Sequence, residues 1–278
     1  MFSLRTRRWW LALPLLLVLA VVLHTAIWRA MAARMEQGVA VWTAERRVLG
    51  WGVQHAPAVR GGWPLSVRLR LPGFELVGGP RTTPSSLHWR AEALELRVAM
   101  LDWDTLLVSP RGLQRLEVDG QEFPFAADRM ELSLPLEGGR TPREGALEVE
   151  RLRLNSPLGP FELRRGSLSA RSRLSATEAE PALSVELDLR ELALPAAGPG
   201  ALGAQVRQAA IEASLSGPLP PVRHLTQRAE TWRDAGGTLE LRRIELQWGP
   251  VTASLSATGT LDDALQPMGA GQIGRAHV

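Results

Sequence analysis

Three stretches of the sequence share one pattern and decide the fold. Residues 147–154 read Leu-Glu-Val-Glu-Arg-Leu-Arg-Leu, residues 187–194 read Leu-Asp-Leu-Arg-Glu-Leu-Ala-Leu, and residues 239–246 read Leu-Glu-Leu-Arg-Arg-Ile-Glu-Leu. Each stretch begins with the apolar–polar alternation of a half-buried β-strand, and its apolar positions change parity halfway along. A regular strand would turn half of these aliphatic side chains to the wrong face. Each copy therefore predicts a β-bulge or a bend at its middle.

The rest of the chain after residue 50 also reads mainly as strands. Leu65, Val67, Leu69 and Leu71 alternate with polar residues, and residues 94–100, 130–136 and 168–174 follow the same rule. Glycine and proline pairs punctuate these runs. We therefore predict a mainly β fold, a curved antiparallel meander sheet with bulged strands. An ordinary β-sandwich is the alternative.

One helix is predicted to interrupt the strands. Two prolines at 220–221 can begin it, glycines at 236–237 can end it, and an apolar stripe lies between them at Val222, Leu225, Ala229 and Trp232. The stripe favours a helix packed on one face of the sheet. The alternative is a cap over the mouth of a groove.

The N-terminal segment is long and apolar enough to cross a membrane. Residues 9–28 carry no charge and lie between Arg8 and Arg29; as a helix they span about 30 Å. Arginines at positions 5, 7 and 8 favour a cytoplasmic tail at residues 1–8. The segment 29–49 is predicted to be a short juxtamembrane helix, in which Met35, Val39, Trp42 and Arg46 have helical spacing.

This arrangement predicts a single-pass protein of the inner (plasma) membrane, with the bulk of the chain in the periplasm. The alternative is a cleaved secretory signal peptide, since Ala30-Met31-Ala32 matches a cleavage site just beyond the apolar run. Both interpretations place the body of the protein outside the cytoplasm.

Composition excludes several functional classes. The 278 residues include no cysteine and no lysine, which removes disulfides, thiolate metal sites, cysteine nucleophiles, Walker A loops and Schiff-base chemistry. Five of the 32 arginines precede residue 35, whereas all 29 acidic residues follow it. The body of the chain is thus nearly neutral, so we expect no nucleic-acid partner despite the high isoelectric point.

Catalytic and metal-binding patterns are sparse. Residues 198–203 (Gly-Pro-Gly-Ala-Leu-Gly) match G-x-G-x-x-G literally, but prolines and the missing β-α context favour a linker. Asp102 and Asp104 would share one face of a strand, yet their context reads as a turn. The five histidines form no metal-type pair. We expect no catalytic, metal or cofactor residues; exposed tryptophans at 51, 63 and 89 are expected in packing rather than sugar stacking.

Three short stretches carry a resemblance to a known family. Residues 50–55 read Gly-Trp-Gly-Val-Gln-His, residues 62–69 read Gly-Trp-Pro-Leu-Ser-Val-Arg-Leu, and residues 261–267 read Leu-Asp-Asp-Ala-Leu-Gln-Pro. This resembles the bacterial family called domain of unknown function 2125, which implies a signal-anchored envelope protein and brings no catalytic residues. More distantly, the amphipathic strands are similar to those of AsmA-type envelope proteins, whose curved sheets are associated with lipid handling.

The last residues raise a separate expectation. Residues 273–278 (Ile-Gly-Arg-Ala-His-Val) read as a translated sequencing adapter. We therefore expect a periplasmic β-rich domain at 50–271 that is truncated at its C-terminal end, followed by an artefact at 273–278. A stop codon directly after Val278 at the locus would contradict this expectation.

Three functions are compatible with these patterns. The first is a non-enzymatic, membrane-anchored protein that offers an apolar groove to lipid or to a partner in envelope maintenance. The second is a periplasmic hydrolase of an envelope polymer that uses Asp102, Asp104 or His55. The third is a scaffold whose strands pair with another envelope protein.

Overall fold

The computed structural model describes residues 4–78, 86–136, 143–173, 180–195, 202–217 and 225–277. Two helices and fourteen strands lie in these ranges, so the chain is mostly β, as predicted. The elements are α1 (Leu4–Val48), β1 (Gly52–Gln54), β2 (Val59–Gly61), β3 (Ser66–Gly78), β4 (Leu87–Ala99), β5 (Asp102–Val118), β6 (Gln121–Ala126), β7 (Arg129–Pro135), β8 (Glu144–Ser156), β9 (Gly159–Ser172), β10 (Pro181–Ala193), β11 (Gln205–Ser216), α2 (Leu225–Asp234), β12 (Leu239–Trp248), β13 (Val251–Leu261) and β14 (Pro267–His277).

The N-terminal helix α1 is a single element. It runs without a break through the predicted membrane segment and the predicted juxtamembrane segment. Its end is a backbone turn at Gly50, whose φ of 91° suits glycine and whose N–H bonds to Arg47 O at 2.9 Å. No proline occurs between positions 15 and 48, and the single glycine there, Gly38, is tolerated within the helix, so the two predicted helices are one.

The chain divides into two compact units. The first comprises residues 1–112 and 117–120, and the second comprises residues 113–116 and 121–278. Within the described residues the strands pair antiparallel, and most paired strands are consecutive in the chain, as in the predicted meander. These strands are hydrogen-bonded into one sheet, as a meander predicts, whereas the alternative, a β-sandwich, has two.

The first unit has a conventional core. In β3, Val67, Leu69 and Leu71 are at most 2% exposed, whereas Arg68 and Arg70 between them face solvent. Helix α1 covers this apolar face, with Met35 and Val39 packed on a cluster whose centre includes Leu69, Leu71, Val53, Phe74 and Leu94. The apolar face of β3 and the apolar side of α1 thus bury each other.

The predicted breaks in the three repeated strands are confirmed. Arg151 in β8 and Glu191 in β10 have positive φ angles of 49° and 54°. In the third copy, the pairing of β12 shifts between Leu241 and Ile244. Each irregularity falls where the apolar pattern changes parity, so the aliphatic residues before and after it stay on one face.

Helix α2 packs on the second unit through one large side chain. Trp232 is 7% exposed and donates its indole N–H to Ser216 O at 2.8 Å. The ring lies against Gly237, where an added Cβ would approach ring atoms within 2.2 Å. The packed helix is thus confirmed, while the predicted start at residues 220–222 lies outside the described residues.

Candidate functional site

One row of aliphatic side chains crosses the second unit. The registers of eight successive strands align Leu132, Leu147, Leu168, Leu187, Ile211, Ile244, Leu255 and Ile273 directly opposite one another. Ile273 belongs to the stretch that reads as a translated adapter, and the other seven residues form the same row without it. Residues paired in this way project from the same face of a sheet. We call this row the aliphatic ladder. At a strand spacing of about 4.8 Å it is roughly 34 Å long.

The aliphatic ladder is open to solvent. Leu168 and Ile211 are each 37% exposed, Ile273 is 72% exposed, and every other member is only half-buried. Helix α2 is the one helix in the described part of this unit, and it contacts β13 and the end of β11. Among the described residues, no helix covers the ladder as α1 covers the sheet of the first unit, and apolar surface of this extent is typical of binding surfaces.

Small residues flank the aliphatic ladder on the same face. Gly166 and Ala209 lie in the row on one side, and Ala170 and Ala213 lie in the row on the other. The alternation of large and small side chains makes this face uneven and not flat. A cleft of about 170 Å³ also crosses β8 to β12, but eight of its twelve lining residues, among them Glu148, Ser167 and Asp188, alternate with the ladder and so belong to the opposite face.

Helix α1 carries both an uncovered apolar segment and a packed segment. Large side chains at 13–23 are exposed, whereas Ala32 is 1% and Thr43 7% exposed against the first unit. Of the residues with helical spacing, Met35 and Val39 pack on the core, whereas Trp42 is 38% exposed and its neighbour Thr43 is buried. Within the described residues, one helix is long and apolar enough to span a membrane.

A cleft of about 260 Å³ separates α1 from the sheet of the first unit. Its lining is mostly apolar, with Glu36, Arg47 and His55 among Val39, Ala40, Thr43, Ala58 and Leu69. Beside it, Arg60 on β2 donates from Nε to Glu36 Oε1 on α1 at 2.6 Å. These hydrogen bonds hold the pKa of the Glu36 carboxyl below its ordinary value, so the pair remains ionised at neutral pH.

The predicted catalytic candidates do not come together. The backbone after His55 bonds to Pro72 at 2.8 Å, whereas the turn before Asp102 and Asp104 bonds to Leu65 at 3.0 Å. These two anchor points are seven residues apart on one extended segment, or roughly 23 Å. The expected turn at 101–105 is largely wrong: Leu101 lies in a turn at residues 100–101, but both aspartates lie in β5.

The other candidate patterns have structural roles or lie outside the described residues. Trp89 packs edge-on against Phe74 with ring centroids 5.4 Å apart, and Trp51 is half-buried. Trp63, by contrast, is 51% exposed. The glycine-rich motif at 198–203 is described only from residue 202 onward, and no metal-type cluster of three ligands occurs among the described residues.

Sequence reasoning missed one group of charged side chains. His88 on β4 lies 3.6 Å from a Glu75 carboxylate oxygen on β3 and 4.0 Å from one of Glu117 on β5. Arg90 lies 3.7 Å from the same glutamate. These residues come from three strands, so only the strand register brings them together. The carboxylates and the histidine are partly exposed, as expected for ion pairs on the polar face of a sheet.

Two of the three stretches that carry the resemblance contain a turn between strands. Gly62 has a φ of 92°, and an added Cβ there would lie 2.7 Å from Ser66 O, so the turn before β3 requires glycine. Between β13 and β14, Asp262 accepts the backbone N–H groups of Ala264 at 2.9 Å and Gln266 at 2.7 Å. The L-D-x-x-L-Q-P element is therefore an aspartate-capped turn.

A long apolar helix followed by an antiparallel sheet defines a β-rich protein compatible with membrane anchoring. The chain belongs to the family described as an uncharacterized protein conserved in bacteria, domain of unknown function 2125, whose model matches residues 28–276. The resemblance stated from the turn elements is thus confirmed. No curated protein and no solved structure matches the chain. The similarity to AsmA-type proteins stays a prediction.

Proposed function

We propose that this chain is a non-enzymatic, single-pass protein anchored in the inner membrane of a bacterium, with its body in the periplasm. Its function is to hold the acyl chain of an envelope lipid against the aliphatic ladder. The observation that carries this proposal is the ladder itself, an apolar row about 34 Å long that no described element covers.

The composition of the aliphatic ladder favours lipid over a protein partner. All eight members are leucine or isoleucine, whereas the residues that dominate protein interfaces are tryptophan, tyrosine and arginine. Half of a bilayer core is about 15 Å thick, which approximates one extended acyl chain. Such a chain fits within the length of the ladder, and aliphatic side chains offer it dispersion contacts without hydrogen bonds.

The anchor supports the same function. The apolar segment of α1 ties the body to a bilayer and so to a supply of lipid. Ala32, the residue before the possible cleavage point, lies inside α1 and is 1% exposed. A protease needs an accessible, unfolded segment, so this packing favours an uncleaved anchor. The arginines at 5, 7 and 8 favour the periplasmic orientation.

The alternative, a periplasmic hydrolase, has less support. Acid–base or nucleophilic chemistry requires its groups within hydrogen-bond reach of one substrate atom. His55 and the pair Asp102 and Asp104 are held at points roughly 23 Å apart along one strand. A hydrolase site would therefore need residues other than these three.

The test is native mass spectrometry of the full-length protein purified from bacterial membranes, with extraction of bound lipid. Leu168→Glu and Ile211→Glu place a charge in the aliphatic ladder at positions already 37% exposed. Ser167→Glu is the matched control, since it adds the same charge one residue away on the opposite face of β9. The thermal midpoint of each variant checks that it is folded.

We expect near-stoichiometric phospholipid or lipopolysaccharide on the wild type and on Ser167→Glu, and its loss from the two ladder variants. A lipid-free wild type that carries a second polypeptide would overturn the lipid proposal in favour of the scaffold. Equal lipid on all folded variants would also overturn it, because the lipid would then bind elsewhere.

A further inference from the structure

Four exposed apolar side chains cluster at one end of the first unit. Leu101 is 101%, Leu65 78%, Trp103 66% and Trp63 51% exposed. Trp63, Leu65 and Leu101 lie in two turns that are adjacent in space, because the Met100 N–H bonds to Leu65 O at 3.0 Å, and Trp103 follows the second turn at the start of β5. We call these four residues the apolar tip. Tryptophan and leucine at such exposure are unusual on a surface that faces only water.

The apolar tip lies beside the membrane-spanning part of α1. His24 donates from Nε2 to Pro64 O at 2.8 Å, and Trp28 donates its indole N–H to Ser66 O at 2.8 Å. The rings of His24 and Trp63 also meet edge to face, with centroids 6.4 Å apart. Both helix residues belong to the uncharged run 9–28. The turn that carries Trp63 and Leu65 is therefore level with the end of that run.

The length of the apolar helix explains why this level matters. A bilayer core about 30 Å thick requires about 20 residues of helix, which is the whole run 9–28. Only residues 9–23 precede the contact with the turn, and these span roughly 22 Å. If the whole body stayed in water, the part of the helix left to cross the bilayer core would be roughly 8 Å too short. The contacts at His24 and Trp28 thus bring the nearest part of the body down to the bilayer.

From this geometry we infer that the apolar tip is a second membrane contact, which enters the leaflet on the side of the body next to α1. The inference rests on the proposed function, because it takes α1 as membrane-spanning. Tryptophan and leucine suit the interface between head groups and hydrocarbon. Asp102 and Asp104 alternate with Trp103 in the same strand, so their carboxylates hold the tip at head-group depth.

Site-directed spin labelling can test the depth of the apolar tip, since the chain contains no native cysteine. The full-length protein is reconstituted into vesicles of phosphatidylethanolamine and phosphatidylglycerol as Leu65→Cys and Leu101→Cys. Val59→Cys is the control for an exposed apolar residue of the same unit away from the tip, being 56% exposed. Leu16→Cys, within the apolar run, reports on the anchor itself.

We expect labels at Leu65 and Leu101 to collide with dissolved oxygen more often than with a water-soluble nickel complex, whereas the label at Val59 shows the reverse. The label at Leu16 should report the hydrocarbon core. If Leu16 is in lipid and both tip labels behave like Val59, the inference fails while the anchor stands. If Leu16 itself is in water, the proposed anchoring fails.

Discussion

At the scale of single residues, Asp262 has the clearest energetic role. Its carboxylate accepts two backbone N–H groups of the turn between β13 and β14. Removing an acceptor of this kind leaves both donors without their partner, at a cost of about 1–2 kcal/mol. We expect Asp262→Ala to lower the thermal midpoint of the full-length protein in detergent by roughly 2–8 °C, as followed by circular dichroism.

The neighbouring aspartate provides the control for this turn. Asp263 is exposed, so Asp263→Ala removes the same charge and should change stability by less than about 0.5 kcal/mol. Asp262→Asn keeps an acceptor oxygen and should retain part of the stability. Equal losses in the two alanine variants would show that charge, and not the capped turn, is responsible.

At the scale of elements, the break in β8 predicts that position 151 favours glycine over β-branched residues, the reverse of the order in an ordinary strand. Arg151 has a φ of 49°, a conformation that costs a residue with a Cβ about 1–2 kcal/mol and a β-branched residue more. We expect stability to fall in the order Gly, Ala, Val when these residues replace Arg151. Chemical denaturation of the full-length variants in detergent measures the order.

Arg153, two residues further along β8, is the matched position. Both arginines are exposed and both pair with Asp128, at 2.6 and 2.7 Å. At Arg153 the backbone is that of an ordinary strand, where valine should be more stable than glycine by up to about 1 kcal/mol. The same order at both positions would contradict the role given to the break.

These breaks also mark how far the sequence determines the structure. The parity change at residues 150–151 predicts an irregularity there, because aliphatic side chains avoid the wetter face. Leu65, in contrast, continues the alternation of Val67 and Leu69 but lies in the turn before β3 and is 78% exposed. Its position depends on Gly62 and on the contact with α1, which alternation cannot reveal.

The candidate site, too, is only partly predictable from the sequence. Alternation identifies which residues of each strand are aliphatic, but the register of eight strands decides that Leu168 and Ile211 fall in one row. The apolar tip joins turns about 36 residues apart through one backbone hydrogen bond. Long-range pairing of this kind depends on the whole sheet, so local patterns do not predict it.

At the scale of the whole molecule, the two units differ in how far packed side chains protect their backbone amides from solvent. The core of the first unit is covered by α1, and Leu69 in it is fully buried. The described strands of the second unit have one aliphatic face without a covering layer, so their opening should cost less free energy. A ligand that fills this face would supply the missing burial.

Hydrogen exchange of the full-length protein tests this difference. In a fluorinated surfactant, whose tails mix poorly with aliphatic side chains, amides of β9 to β11 should exchange faster than those of β3. Added phosphatidylethanolamine at 100 times its dissociation constant stabilises the bound form by about 2.7 kcal/mol, so exchange in β9 to β11 should slow about 100-fold while β3 stays unchanged. Leu168→Glu should abolish this slowing. If the amides of β9 to β11 in the lipid-free protein are as protected as those of β3, the uncovered ladder does not lower the stability of these strands, and the prediction is wrong.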